Sequence, residues 1–206
     1  MEDADRLEAE SYRILRSRVD LSGLPRFGRA VTEHVIHVTA DLGYATDLAC
    51  DEEALAAGVD ALRHGAPAIA DAAMVAAGIS GYPVICKAAE SLSARLARTA
   101  NITLAAATAR LAFGEAGPGA VWLVGCEPAA LAEIMSRQVQ PALVIGVPAG
   151  FVGAAAAKEA LRLSGLPALT NVSERGGPPV AAAAFTALLR LAASEATDPP
   201  HHACQS

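Results

Sequence analysis

The sequence predicts an α/β fold, with a largely parallel sheet flanked by helices in a doubly wound arrangement. Short apolar runs such as 120–124 (AVWLV) and 142–147 (ALVIGV) alternate with helical segments from about residue 68 onward. Runs that are apolar at every position are typical of strands covered on both faces, as in parallel sheets. No linker or internal repeat divides the chain. Residues 1–196 are therefore predicted to form a single domain, followed by a disordered tail at 197–206.

Turn-forming residues divide the chain into predicted helices and strands. The third helix is expected to begin at the N-cap Asp51 and to end at Gly65, and the sixth carries Pro128 in its first turn. The fifth helix is expected to break near Asn101. The predicted helices, in order, are 4–18, 29–36, 51–65, 72–77, 91–113, 128–137, 154–164 and 181–193. The predicted strands are 68–69, 83–86, 120–124, 142–147 and 168–172.

Composition indicates a cytoplasmic globular protein without nucleic-acid or membrane partners. The chain is 53% hydrophobic and 18% charged, enough apolar surface for a sizeable core. Its net charge of -6, without a Lys/Arg cluster, argues against nucleic-acid binding. The four cysteines lack metal-ligand spacing, which argues against a zinc site and favours a reducing compartment. The acidic N-terminus is unlike a signal peptide, and no apolar run is long enough for a membrane span.

His37 is the residue best suited to proton transfer. It lies in the segment HVIHVTAD, at the end of a predicted helix, with His34 one turn earlier. Imidazole can donate a proton near neutral pH, and Asp41 is a candidate to orient the ring or raise its pKa. From spacing alone, however, a lone histidine is more often an ordinary core or surface residue.

The loops that follow the predicted strands are the expected ligand-binding region, because ligands sit outside the carboxyl ends of parallel strands. The segments 125–128 and 148–153 are glycine-containing junctions between a strand and a helix. Their glycines allow close backbone approach, and N–H groups at a helix start can hold carboxylates. Asp71 also follows a strand and is either a site acid or a helix cap. Neither a dinucleotide fingerprint nor a phosphate-binding loop motif occurs.

Several segments taken together resemble the precorrin-8X / cobalt-precorrin-8 methylmutases of cobalamin biosynthesis. They occur in that family's order across nearly the whole chain. The segments are 11–16 (SYRILR), 37–41 (HVTAD), 65–79 (GAPAIADAAMVAAGI), 84–86 (VIC), 146–161 (GVPAGFVGAAAAKEAL) and 176–177 (GG).

This resemblance implies a homodimeric isomerase that binds a large polycarboxylate tetrapyrrole between its subunits. The implied reaction moves a ring methyl from C-11 to C-12 to give hydrogenobyrinic acid or its cobalt form, without a cofactor or a metal ion. His37 matches the family's catalytic histidine, which donates a proton to the macrocycle. The residues assigned to substrate binding are Ser11, Arg16, Thr39, Asp41, Asp71, Lys87, Thr103, Gly150, Phe151 and Val152.

At several positions, the residue differs from the family pattern, which usually has a polar or a differently charged side chain there. These positions are Arg18, Ala73, Thr103, Ala156, Ala157 and Pro178. Three hypotheses therefore remain open at the level of sequence. The chain is a methylmutase acting on precorrin-8X, a divergent homologue that isomerises a smaller and less charged molecule, or a non-catalytic tetrapyrrole-binding protein.

Overall fold

The structure is a computed structural model that describes residues 2–137 and 139–197. Its first helices and strands, in chain order, are α1 (Glu2–Arg18), α2 (Arg26–Thr39), α3 (Tyr44–Asp47), β1 (Leu48–Cys50), α4 (Glu52–Arg63), β2 (Ala68–Ala70), α5 (Ala73–Ala77) and β3 (Val84–Ile85). They are followed by α6 (Ser91–Ala100), α7 (Leu104–Ala116), β4 (Val121–Val124), α8 (Pro128–Ser136), β5 (Leu143–Gly146), α9 (Ala154–Leu163), β6 (Ala168–Asn171) and α10 (Pro178–Thr197).

The strands form one sheet in the order β1-β6-β5-β4-β2-β3. All neighbouring pairs are parallel except β1 and β6, which run antiparallel, with β1 as the outermost strand on one side of the sheet. The chain moves outward from β2 to β3 and then returns to the other side of β2 to form β4, so the winding direction reverses between these strands. This arrangement confirms the predicted doubly wound fold and gathers the carboxyl ends of β2, β4, β5 and β6 at one edge, which we call the carboxyl edge.

Both faces of the sheet are covered by helices, as the fully apolar strands require. The strand β4 shows this alternation. Val121 and Leu123 face the core formed with α1, α2, α4, α5 and α10, whereas Trp122 and Val124 face the core formed with α7, α8 and α9. Burying each such side chain stabilises the fold by about 1.5–3 kcal/mol relative to exposure.

The helix α2 is fixed at both ends. At its start, the N–H groups of Phe27 and Gly28 donate to the two carboxylate oxygens of Glu52 at 2.8 and 2.9 Å. This carboxylate satisfies main-chain donors that have no partner within the helix and interacts favourably with the helix dipole. At its end, Ala40 takes a left-handed conformation with φ 53° and donates to the carbonyl of Ile36. These contacts fix the last turn of α2, which includes His37, at the carboxyl edge.

The predicted strands and helices are confirmed, with differences at their ends and one omission. Asp51 caps α4 by accepting from two main-chain N–H groups, and Asn101 separates α6 from α7 in a left-handed conformation. The prediction missed α3 and β1, which together span residues 44–50. Thr197, the last described residue, lies in α10, and the rest of the predicted disordered tail lies outside the described residues. No helix within the described ranges is long and apolar enough to cross a bilayer.

Candidate active site

His37 lies in the last turn of α2, where residues of α1 contact its ring. The Oγ of Ser11 is 2.8 Å from its Nδ1. The ring of Tyr12 stacks on the imidazole, with centroids 4.7 Å apart and an interplanar angle of 13°. The ring is partly exposed, and within the described part of the chain no hydrogen bond reaches its Nε2. One ring nitrogen is therefore held, and the other can exchange a proton with a ligand.

His34, one turn earlier in α2, lies beside His37 and is uncharged at neutral pH. The two imidazole centroids are 5.8 Å apart, and the Nδ1 of His34 is 2.7 Å from the Tyr12 hydroxyl oxygen. The residue is only 6% exposed. Burial, with smaller contributions from the charges of Arg190 and His37, lowers the pKa of His34 from 6.5 to about 4. His34 therefore adds no positive charge next to the proton-transfer residue.

Thr39 and Asp41 form the exit from α2. The hydroxyl of Thr39 donates to the carbonyl of Val35 at 2.7 Å and accepts from the Asp41 N–H at 3.3 Å. The Asp41 carboxylate accepts from the Gly43 N–H at 2.8 Å and lies 3.4 Å from the guanidinium of Arg175. Asp41 therefore shapes the loop after α2, and Ser11 rather than Asp41 contacts the ring of His37.

The loops after β5 and β6 are joined to each other at the carboxyl edge. The Gly150 N–H donates to the carbonyl of Glu174 at 3.0 Å, and the Gly177 N–H donates to the carbonyl of Val147 at 2.8 Å. Gly176 has a φ of +142°, and a Cβ there would lie 2.1 Å from the Val147 oxygen, so only glycine fits. Through Arg175 the same pair of loops reaches Asp41.

The tip of the loop after β5 is apolar and projects into solvent. Phe151 and Val152 are 96% and 92% exposed, and Gly150 is also exposed. The structure thus brings Thr39, Asp41 and this predicted substrate-binding loop to one edge of the sheet.

A buried lysine fixes the loop after β6. Lys158 is 0% exposed, and its Nζ donates to the Oδ1 of Asn171 at 2.9 Å and to the main-chain oxygens of Ser173 and Arg175. Asp47 completes the network, because its carboxylate accepts from Asn171, from the Ser173 hydroxyl and from two main-chain N–H groups of the loop. Burial lowers the pKa of Lys158 to about 8, although the charge of Asp47 opposes this.

Sequence reasoning missed this lysine as a functional residue, although a signal was present. Ala154, Lys158 and Leu161 follow the i, i+4, i+7 spacing of one helix face, and the two apolar members are buried. A lysine on a buried stripe must find acceptors inside the protein. The acceptors themselves come from other parts of the chain and were not visible in the local pattern.

Three other predicted substrate-binding residues have partners elsewhere in the protein. Arg16 forms a two-point contact with Glu33 on α2, with N–O distances of 2.8 and 3.0 Å. Lys87 pairs with Glu115 at the end of α7 as well as with a neighbouring glutamate. Thr103 caps α7 by accepting from the main-chain N–H three residues later at 3.1 Å. The side chains of Lys87 and Thr103 are thus engaged with groups other than His37.

Asp71 holds the loop after β4. Its carboxylate accepts from the N–H groups of Gly125, Cys126 and Glu127 at 3.1, 2.8 and 3.0 Å. Burial raises the pKa of Asp71, and these three hydrogen bonds oppose the rise. The expectation that these N–H groups are available for a ligand carboxylate is therefore wrong, because a carboxylate of the protein already occupies them.

The positions that depart from the family pattern are distributed over several helices. Arg18, Ala73 and Ala156 are exposed on α1, α5 and α9, Ala157 is partly buried, and Pro178 is the first residue of α10. In the described structure, the ring of His37 is contacted instead by Ser11, Tyr12 and His34. The departures therefore leave the immediate surroundings of the imidazole intact.

Comparison with known proteins identifies a family to which this chain is similar over most of its length. The family model described as precorrin-8X methylmutase matches residues 6–191. The cobalt-precorrin-8 methylmutase of Methanocaldococcus jannaschii is 34% identical over 169 residues, covering 80% of each chain. The precorrin-8X methylmutase of Pseudomonas aeruginosa is 34% identical over 198 residues, covering 90% of this chain and 95% of that protein.

The fold likeness is equally broad. A crystal structure of the precorrin-8X methylmutase from Thermus thermophilus superposes with a TM-score of 0.85 and 32% sequence identity, covering 95% of this chain and 100% of that one. The match therefore extends over the sheet and the helices on both of its faces, including α1 and α2 with His37. The chain accordingly belongs to the precorrin-8X methylmutase family and is an isomerase.

Proposed function

We propose that this protein moves a ring methyl of precorrin-8X, or of its cobalt form, from C-11 to C-12, with His37 as the proton donor. The observation that carries this proposal is the state of the His37 ring, whose Nδ1 is held by Ser11 while Nε2 makes no hydrogen bond in the described structure. Family membership supplies the substrate class. The hypotheses of a smaller substrate and of a non-catalytic protein find no comparable support.

The Ser11 hydroxyl suits both protonation states of the ring. When His37 is a cation, its Nδ1–H donates to the Ser11 oxygen, and the Nε2–H is the proton given to the conjugated macrocycle. Protonation promotes migration of the methyl together with its bonding electrons. The neutral ring keeps its Nδ1–H, so the bare Nε2 can then take a proton back from the rearranged macrocycle. Substrate and product are isomers, and the proton count of the enzyme is restored.

The proposed substrate-binding site lies at the carboxyl edge beside His37. Thr39, Asp41 and the loop 150–152 lie at this edge, and main-chain groups there can approach a flat ring closely because the loop carries glycine. The guanidinium of Arg175, half-exposed beside Asp41, is suited to a substrate carboxylate.

The role of His37 is tested by a visible-spectrum assay with precorrin-8X. We expect His37→Gln to abolish turnover while product still binds, because removing a general acid lowers rates by about 10²–10⁴-fold. His64→Gln is the matched control, since that side chain is 72% exposed at the end of α4. Full turnover by His37→Gln would exclude the proposed role, and a wild-type protein that leaves both precorrin-8X and its cobalt form unchanged would exclude the proposed reaction.

We further propose that the protein is a cytoplasmic homodimer with the loop tip at 151–152 in its interface. The cysteines at positions 50, 86 and 126 are free thiols, as in a reducing compartment. Two adjacent apolar side chains that are almost fully exposed are typical of an interaction surface. By light scattering, Phe151→Asp should halve the molar mass, whereas Leu163→Asp, at an 80% exposed position on α9, should leave it unchanged. A wild-type monomer, or a dimeric Phe151→Asp, contradicts this arrangement.

A further inference from the structure

Tyr12 contacts both histidines of the last turns of α2, and the proposed reaction assigns it no role. Its ring lies flat on the imidazole of His37, and its hydroxyl lies 2.7 Å from the Nδ1 of His34. Arg190 of α10, which pairs with Glu8 of α1, lines the same cleft as Tyr12 and His34. Tyr12 therefore links α1 to α2 directly at the proton-transfer residue.

The chemistry of the two groups determines the direction of the hydrogen bond between Tyr12 and His34. A phenol hydroxyl is the better donor and a bare imidazole nitrogen is the better acceptor, so Tyr12 donates to the Nδ1 of His34, which is then the bare nitrogen. Burial keeps the Tyr12 hydroxyl protonated by raising its pKa. His34 is consequently held as the neutral tautomer with its proton on Nε2.

The charge state of His34 matters because the two imidazoles are stacked. Their centroids are 5.8 Å apart, and a positive His34 would disfavour a second positive ring at this distance. The charged groups packed around the pair are balanced, because Arg190 is paired with Glu8 and Arg16 with Glu33. A neutral His34 therefore leaves His37 as the ring that carries the transferable proton.

We propose that Tyr12 and His34 are positioning residues for His37: the Tyr12 ring sets the plane of the imidazole, and its hydroxyl locks His34 in the neutral Nε2–H tautomer. This inference rests on the proposed role of His37 as proton donor. Neither residue touches the substrate in this assignment. Both act by keeping the Nε2 of His37 directed outward and able to carry a proton.

Kinetics of the full-length protein with precorrin-8X test the positioning role. Tyr12→Phe keeps the ring and removes the hydroxyl, so we expect kcat to fall about tenfold, the equivalent of one hydrogen bond, with KM within about twofold. Tyr12→Leu also removes the stack and should lower kcat further. Tyr82→Phe is the matched control, because this half-buried tyrosine donates to the Ala66 carbonyl at 2.6 Å on another part of the domain; its kcat should be unchanged.

Histidine nitrogen NMR gives a second readout that a merely structural role would not affect. In the wild-type protein, His34 should show a protonated Nε2 and a bare Nδ1, and Tyr12→Phe should convert it to a mixture of tautomers. A kcat of Tyr12→Phe equal to that of Tyr82→Phe, or a wild-type His34 protonated on Nδ1, overturns the inference. If His37→Gln keeps full turnover, the proposed function fails instead, whereas an inactive His37→Gln with an unimpaired Tyr12→Phe refutes only the positioning role.

Discussion

Replacing Lys158 by methionine should destabilise the protein substantially although no surface residue changes. The substitution keeps the length of the side chain but removes three hydrogen bonds, two of them to main-chain oxygens of the loop after β6. Removing one partner from a buried charged network costs about 3–5 kcal/mol. Part of this cost is offset, because burial already disfavours the ammonium and lowers the pKa of Lys158 to about 8. We therefore expect a net loss of about 2–3 kcal/mol.

For a chain of this size, that loss corresponds to a decrease in Tm of about 5–10 °C. The assay is thermal and urea denaturation followed by circular dichroism at pH 7. The loss should increase at pH 9.5. Between pH 8 and 10.5, Lys158 is protonated in the unfolded chain but largely deprotonated in the native protein. The free energy of unfolding of the wild-type protein therefore gains a contribution from this group as pH rises. The methionine variant lacks that gain.

The control for this prediction is Lys87→Met, which removes a lysine whose partners lie at the protein surface. Surface ion pairs contribute little to stability, so this variant should denature much like the wild-type protein. A Lys158→Met variant that loses less than about 1 kcal/mol, or whose loss is the same at both pH values, would refute the reasoning.

Two further predictions concern His34 and Gly176. Because burial lowers the pKa of His34 from 6.5 to about 4, its contribution to stability is present above pH 6.5 and is lost as pH falls to 4. Between pH 6.5 and 4, the free energy of unfolding measured in urea should therefore decrease by about 2 kcal/mol more for the wild-type protein than for His34→Asn. Equal decreases for the two proteins would contradict this. Gly176→Ala should cost about 2 kcal/mol or more, since its φ is +142° and its Cβ would meet a carbonyl oxygen. The control Gly114→Ala, in α7 with open space around it, should be neutral or stabilising, and thermal denaturation that ranks the pair in the reverse order would exclude the steric argument.

Most of the sheet could be predicted because its strands are buried on both faces. Runs such as 120–124 and 142–147 are apolar at every position, and this pattern is local. The residues 44–50 lacked such a signal. The strand β1 is three residues long with no β-branched side chain, and its pairing is set by β6, more than a hundred residues later. Tertiary pairing of this kind cannot be read from a local pattern.

The candidate site was predictable only in part, for the same reason. His37 stands out through its chemistry and its family resemblance, but its ring contacts with Ser11 and Tyr12 join residues about 25 positions apart. The packing of α1 against α2 creates those contacts. Asp71 shows the same limit, since its position after a strand was compatible with a site acid or a helix cap, and the main-chain N–H groups that it holds after β4 lie more than fifty residues later.

The contacts of Lys158 make the backbone conformation of the loop after β6 independent of most of that loop's side chains. The lysine holds the main-chain oxygens of residues 173 and 175, so the side chains of Glu174 and Arg175 take no part in that attachment, and both are exposed. Natural drift or a directed library can therefore change the charge presented at these two positions while the backbone path is retained. Such a loop gives the protein room to evolve or to be engineered toward differently charged substrates without rebuilding its scaffold.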